Sequence, residues 1–142
     1  MRKILLVSHG HLASGLKSSI QILTGDASSV SVIDAYVDDS DFTKDIRSFI
    51  ADCEPKDGAI IFTDILGGSV FQKVALEHPE SKGVIHVTGM NLAAVMECLL
   101  SPEKLTKKTV DDICKVAVSQ LKRIEITGSS EEGGGEEEEF FN

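Results

Sequence analysis

The sequence predicts a doubly wound α/β domain, with a mainly parallel central sheet and helices on both faces. Three observations lead there. Short apolar runs, "KILLVS" (3–8), "GAIIFTD" (58–64) and "GVIHVT" (83–88), are each bounded by polar residues or glycine, as strands covered on both faces should be. Between them lie segments whose apolar residues repeat at helical spacing. The resulting βαβαβαβα order calls for parallel strands joined by right-handed crossovers.

In chain order, the first strand runs into a helix whose stripe is Leu12, Leu16, Ile20 and Leu23 and which stops at Gly25. "SVSVIDAYV" (29–37) alternates and is the second strand. Phe42, Ile46, Phe49 and Ile50 give the second helix its buried face, with Ser40 expected as its cap. After the third strand, a helix over 69–78 ends before Pro79. After the fourth, Asn91 is expected to cap a helix that Pro102 closes. Thr109 with Asp112 resembles a capping box for a fifth helix, striped by Val110, Ile113, Ala117 and Leu121. "RIEIT" (123–127) is expected as a last short strand.

Composition bounds the function. A chain of 142 residues, 42% hydrophobic, is enough for one domain with a real core. A formal charge of −9 and the lack of a basic stripe argue against nucleic-acid binding. Cys53, Cys98 and Cys114 are odd in number and form no Cys-x-x-Cys pair, so the sequence suggests neither a disulfide framework nor a zinc site, and reduced thiols fit a cytosol. The opening "MRKILLVSHG" has too short an apolar part for a signal peptide, and no segment reaches the roughly 20 apolar residues of a membrane span. From Gly128 the composition changes: "GSSEEGGGEEEEFFN" holds six of the 23 acidic residues and no basic ones, which leaves 17 acidic against 14 basic, net −3, in residues 1–127. The expected organisation is therefore a domain over 1–127 followed by an acidic, disordered tail over 128–142.

In doubly wound sheets ligands sit beyond the carboxyl ends of the strands, where the winding reverses. His9 leaves the first strand and Asp64 ends the third. With strand order 2-1-3-4 the crevice lies between those two strands, and the two side chains face each other across it. "TDILGGSVF" (63–71) adds two glycines and a hydroxyl, Gly67, Gly68 and Ser69, at a helix start. Free backbone N–H groups there suit phosphate oxygens. An imidazole whose Nδ1–H is held by a carboxylate presents the Nε2 lone pair outward as a nucleophile. Each residue also has a plain structural reading: His9 as a polar strand exit, Asp64 as a turn residue, the glycines as turn formers and Ser69 as a helix cap. His11 is expected half exposed in the first turn of helix one, His78 at a helix end and His86 packed in the core; none of these three is assigned a role.

"VSHGHLASGL", "TDILGGSVF" and "VTGMNLAAVMECL" resemble the three signature regions of the IIA component of the mannose-class bacterial sugar phosphotransferase system, over residues 1 to about 127. The resemblance implies a cytoplasmic phosphocarrier that takes a phosphoryl group from phospho-HPr and passes it to a IIB component. The membrane is met only indirectly, through the sugar permease. It implies His9 as the phosphorylated residue, Asp64 as its hydrogen-bonding partner and Gly67, Gly68 and Ser69 as the phosphate-side loop, with no metal or organic cofactor. It also implies a homodimer in which the C-terminal strand is exchanged. Val70 departs from the family's usual proline. Leu12 and Leu66 are candidate contacts for the protein partners, whereas Phe71 fits core packing better.

Rival functions fit the residues less well. A histidine phosphatase has an arginine before its histidine, where Ser8 stands here. "GGSVF" lacks the closing glycine of a serine hydrolase's nucleophile elbow. A receiver-type domain would show an acidic pair after the first strand. A nonenzymatic module holding a phosphate-bearing metabolite is the remaining alternative.

Overall fold

The structure, a computed structural model, describes residues 1–126. Four parallel strands, β1 (Arg2–His9), β2 (Val30–Ala35), β3 (Gly58–Thr63) and β4 (Ile85–Thr88), form one sheet in the order β2-β1-β3-β4. The strand order read from the sequence is the observed one. β1 is central, with His9 opposite Ala35 of β2 and Val7 opposite Thr63 of β3.

Alternation along β1 divides the core in two. Ile4 and Leu6 point to one face, where they pack with α1 (Leu12–Thr24), α4 (Leu92–Leu100) and α5 (Lys107–Ser119) through Ile20, Val95 and Val110. Leu5 and Val7 point to the other, against α2 (Thr43–Asp52) and α3 (Ser69–Leu76) through Ile46, Ile50, Val70 and Val74. The split follows from handedness. Stepping from β1 to β2 and from β3 to β4 moves in opposite directions across the sheet, so right-handed crossovers place α1 and α3 on opposite faces.

Several boundaries differ from the expectation. Ser40 does not cap α2: its hydroxyl bonds Asp38, and the helix begins after Phe42 with the Asp41 carboxylate accepting from the Thr43 amide. Thr109 and Asp112 do not form a capping box either, because α5 starts three residues earlier. Thr106 is its cap and accepts from the Thr109 amide at 3.1 Å. In both cases a second hydroxyl or carboxylate near the helix start competes for the same orphan amides. Asn91 caps α4 as expected, accepting from the Ala94 amide at 2.8 Å. The helix expected over 69–78 stops at Leu76. His78 turns to φ 49°, and Pro79 opens a 3₁₀ turn (Pro79–Lys82). α1 lacks a side-chain cap at His11; buried Ser8 substitutes for it, its Oγ accepting from the Ala13 amide at 2.8 Å.

Residues 121–126 follow α5 without helix or strand, so the expected strand "RIEIT" finds no sheet partner within the described chain. Thr127 and the acidic tail, 128–142, lie outside the described residues. Among the described residues no helix is long and apolar enough to cross a membrane.

Candidate functional site

The carboxyl ends of β1 and β3 bring His9 and Asp64 into contact. Asp64 Oδ2 accepts from the His9 backbone N–H at 2.7 Å and lies 2.8 Å from Nδ1 of the same residue. Its other oxygen, Oδ1, accepts from the Ile65 amide at 3.0 Å. One carboxylate therefore holds the main chain and the ring of a single histidine, which restricts ring rotation and places a proton on Nδ1. The Asp64 side chain is 10% exposed, and the His9 ring 46%. Burial pushes the Asp64 carboxyl up, but the hydrogen bonds from the His9 amide and ring outweigh it and hold the group below the usual carboxylate range.

Nε2, on the far side of the ring, lies 3.2 Å from Ser69 Oγ. With a proton on Nδ1, Nε2 is the acceptor and the serine hydroxyl donates. Ser69 is the first residue of α3 rather than its cap; Gly68 occupies the cap position and offers no side-chain acceptor. The first-turn amides of α3 thus open beside His9, as an anion cradle requires. The two glycines serve different ends. Gly67 takes φ 76°, a backbone that side chains resist, whereas Gly68 has an ordinary φ of −71° and is needed for space. A Cβ on Gly68 would stand 2.7 Å from Ile65 Cγ2 and 3.7 Å from His9 Cε1.

The hydroxyl of Tyr36, a residue that no motif in the sequence marks, completes the site by donating to Ser69 Oγ at 2.9 Å. Its ring lies 5.4 Å from the His9 ring, and its backbone takes φ 66° just past β2. Tyr36, Ser69, His9 and Asp64 form one hydrogen-bonded series drawn from the exits of three strands and the start of a helix. Leu12 and Leu66, just beyond the carboxyl ends of β1 and β3, are 49% and 74% exposed. Phe71 packs on the His86 ring at 5.1 Å.

The other histidines stand apart from this series. His11 pairs with Asp34, Nδ1 to Oδ2 3.0 Å, with its side chain 77% exposed. His78 links α3 to the 3₁₀ turn. His86 lies partly buried on β4 with Nε2 2.9 Å from Thr63 Oγ1, and burial pushes its ring below the ordinary value. Among the described residues no group of three or more His, Cys, Asp or Glu side chains is arranged to hold a metal ion.

Comparison with known proteins bears on the family and the fold. The model of the family described as PTS system fructose IIA component matches residues 3–116. The chain is similar to a protein from Klebsiella pneumoniae assigned to the phosphoenolpyruvate-dependent sugar phosphotransferase system as a permease. The two are 26% identical with a TM-score of 0.77, over 86% of this chain and 90% of that one. Phosphotransferase system component EIIA from Streptococcus agalactiae is 25% identical with a TM-score of 0.70, over 87% and 97% of the two chains. The mannose/sorbose-specific IIA subunit from Enterococcus faecalis, 19% identical with a TM-score of 0.72 over 89% and 96%, shares the fold. No curated protein sequence matches the chain.

Proposed function

The chain belongs to the family of phosphotransferase-system fructose IIA components, and on that premise we propose that His9 carries a phosphoryl group between two proteins during sugar uptake. The donor is phospho-HPr and the acceptor a IIB component, so the carrier works in the cytoplasm. Support comes above all from one observation: Asp64 grips both the backbone and Nδ1 of His9, which leaves Nε2 as the nucleophile at a half-exposed strand exit.

Transfer in follows from that arrangement. Nε2 attacks the phosphorus of the donor's phosphohistidine, the new N–P bond forms as the donor's breaks, and the freed ring departs with HPr. His9 gains positive character, offset by the carboxylate 2.8 Å away. Ser69 and the first-turn amides of α3, flanked by Gly67 and Gly68, face the phosphoryl oxygens and offset their developing charge. Passage to IIB reverses these steps. Leu12 and Leu66 offer apolar contact to both partners in turn, and an open site serves such traffic better than an enclosed one. The resemblance further supports a homodimer that exchanges the C-terminal strand, for which the exposed Ile124 and Ile126 supply apolar side chains.

Incubation with phosphoenolpyruvate, enzyme I and HPr tests the proposal. Acid-labile label on His9 that is lost in His9→Ala is expected. Catalytic release of phosphate would instead identify a phosphatase, and absence of label would leave a phosphometabolite-binding module.

A further inference from the structure

We propose that Tyr36 is a positioning residue of the phosphoryl site, acting through Ser69. Its hydroxyl occupies an acceptor lone pair of Ser69 Oγ, so that the single serine proton is directed at His9 Nε2, or at the phosphoryl oxygen that arrives there. The inference rests on His9 being the acceptor and adds the residue that orients its nearest hydroxyl.

Hydrogen-bond direction carries the argument. Nδ1 gives its proton to Asp64 at 2.8 Å, which makes Nε2 an acceptor and Ser69, 3.2 Å away, the donor. A serine hydroxyl has one proton. With that proton committed to His9, the contact of 2.9 Å between Tyr36 and Ser69 is satisfied only when the phenol donates. Removal of the phenol hydroxyl frees the serine rotor to turn its proton toward solvent and a lone pair toward the phosphoryl group.

The backbone of Tyr36 supports the same assignment. A bulky residue at φ 66° is an outlier, and such strain persists where the surroundings impose it. Here it turns the chain at the exit of β2 back over His9. The ring is then held by the edge of Phe42 at 5.3 Å and by Lys73 Nζ, 5.3 Å from its centroid. Core packing does not account for the conformation, since the residue is 51% exposed.

Rapid-mixing transfer from phospho-HPr to the wild type, Tyr36→Phe, Ser69→Ala and the double variant tests the proposal, because Phe retains the ring and its packing. Tyr36→Phe is expected to lower the transfer rate at saturating donor roughly fivefold, with KM unchanged, as loss of one oriented hydrogen bond should. In the Ser69→Ala background it should have no further effect. An unchanged rate, an effect on KM alone, or an equal effect in both backgrounds would overturn the proposal. The ¹⁵N resonance of His9 Nε2 in the unphosphorylated protein is a second readout and is expected to move in Tyr36→Phe; a static resonance counts against the relay. If the wild type takes up no phosphoryl group, the carrier function fails, and the resonance still decides whether Tyr36 acts on His9 through Ser69.

Discussion

At the scale of single residues, the grip of Asp64 on His9 is the feature most exposed to test. An amide at position 64 retains an oxygen for the backbone N–H but loses the charge that offsets the phosphorylated ring. Asp64→Asn should therefore slow phosphoryl transfer about tenfold or more without unfolding the protein, as measured by transfer kinetics beside circular dichroism. His86 carries a different prediction. Burial lowers its folded-state value, so below the ordinary 6.5 the unfolded chain binds a proton that the folded chain refuses. Stability should thus fall as the pH drops from 6.5 toward the lower folded value, and His86→Gln should lack that part of the loss. Urea midpoints at pH 7 and pH 5 for both proteins check the sign. His9 and Asp64 were legible in the sequence because each ends a buried apolar run and the winding rule makes those two runs neighbours. Tyr36 was not, because its role depends on a left-handed backbone that nothing in "DAYVDD" announces.

At the scale of elements, the turn into α3 decides whether the proposed phosphoryl group would have a cradle. Gly68→Ala would set a methyl 2.7 Å from Ile65 Cγ2 and 3.3 Å from the Ile65 carbonyl oxygen, which must displace the turn that carries Ser69. Slower phosphoryl acceptance is expected, with partial recovery in Gly68→Ala combined with Ile65→Ala, because the second change removes the nearer of the two contacts. Equal rates in wild type and Gly68→Ala would show that the spacing is not critical. The position of this turn was legible from "LGGS", but the separate duties of its glycines were not, since backbone angles decide which one bends and which one makes room. The starts of α2 and α5 differ from the sequence expectation for a similar reason. Around α2 and α5 several side chains are able to cap, and the apolar stripe settles which of them is used only once the helix is seated on the sheet.

At the scale of the whole molecule, the two-faced core and the strand order were legible because alternation, length and handedness together leave few arrangements. The C-terminal strand was not, since residues 123–126 meet no sheet partner within the described chain. Sedimentation should give a dimer, and a monomer would remove the strand exchange. Truncation after Thr127 should leave phosphoryl acceptance within about twofold of the full chain, because a Gly/Ser/Glu-rich segment has little apolar surface with which to support the domain. The placement of Tyr36 has one more consequence. The chain contains no tryptophan and this one tyrosine, whose ring rests against His9. All of the protein's intrinsic near-ultraviolet emission of indole or phenol type therefore originates beside the imidazole, and on the proposed carrier role each gain or loss of a phosphoryl group at His9 should change the quenching environment of that single fluorophore. Loading of His9 should then be readable from that emission in real time, without a label.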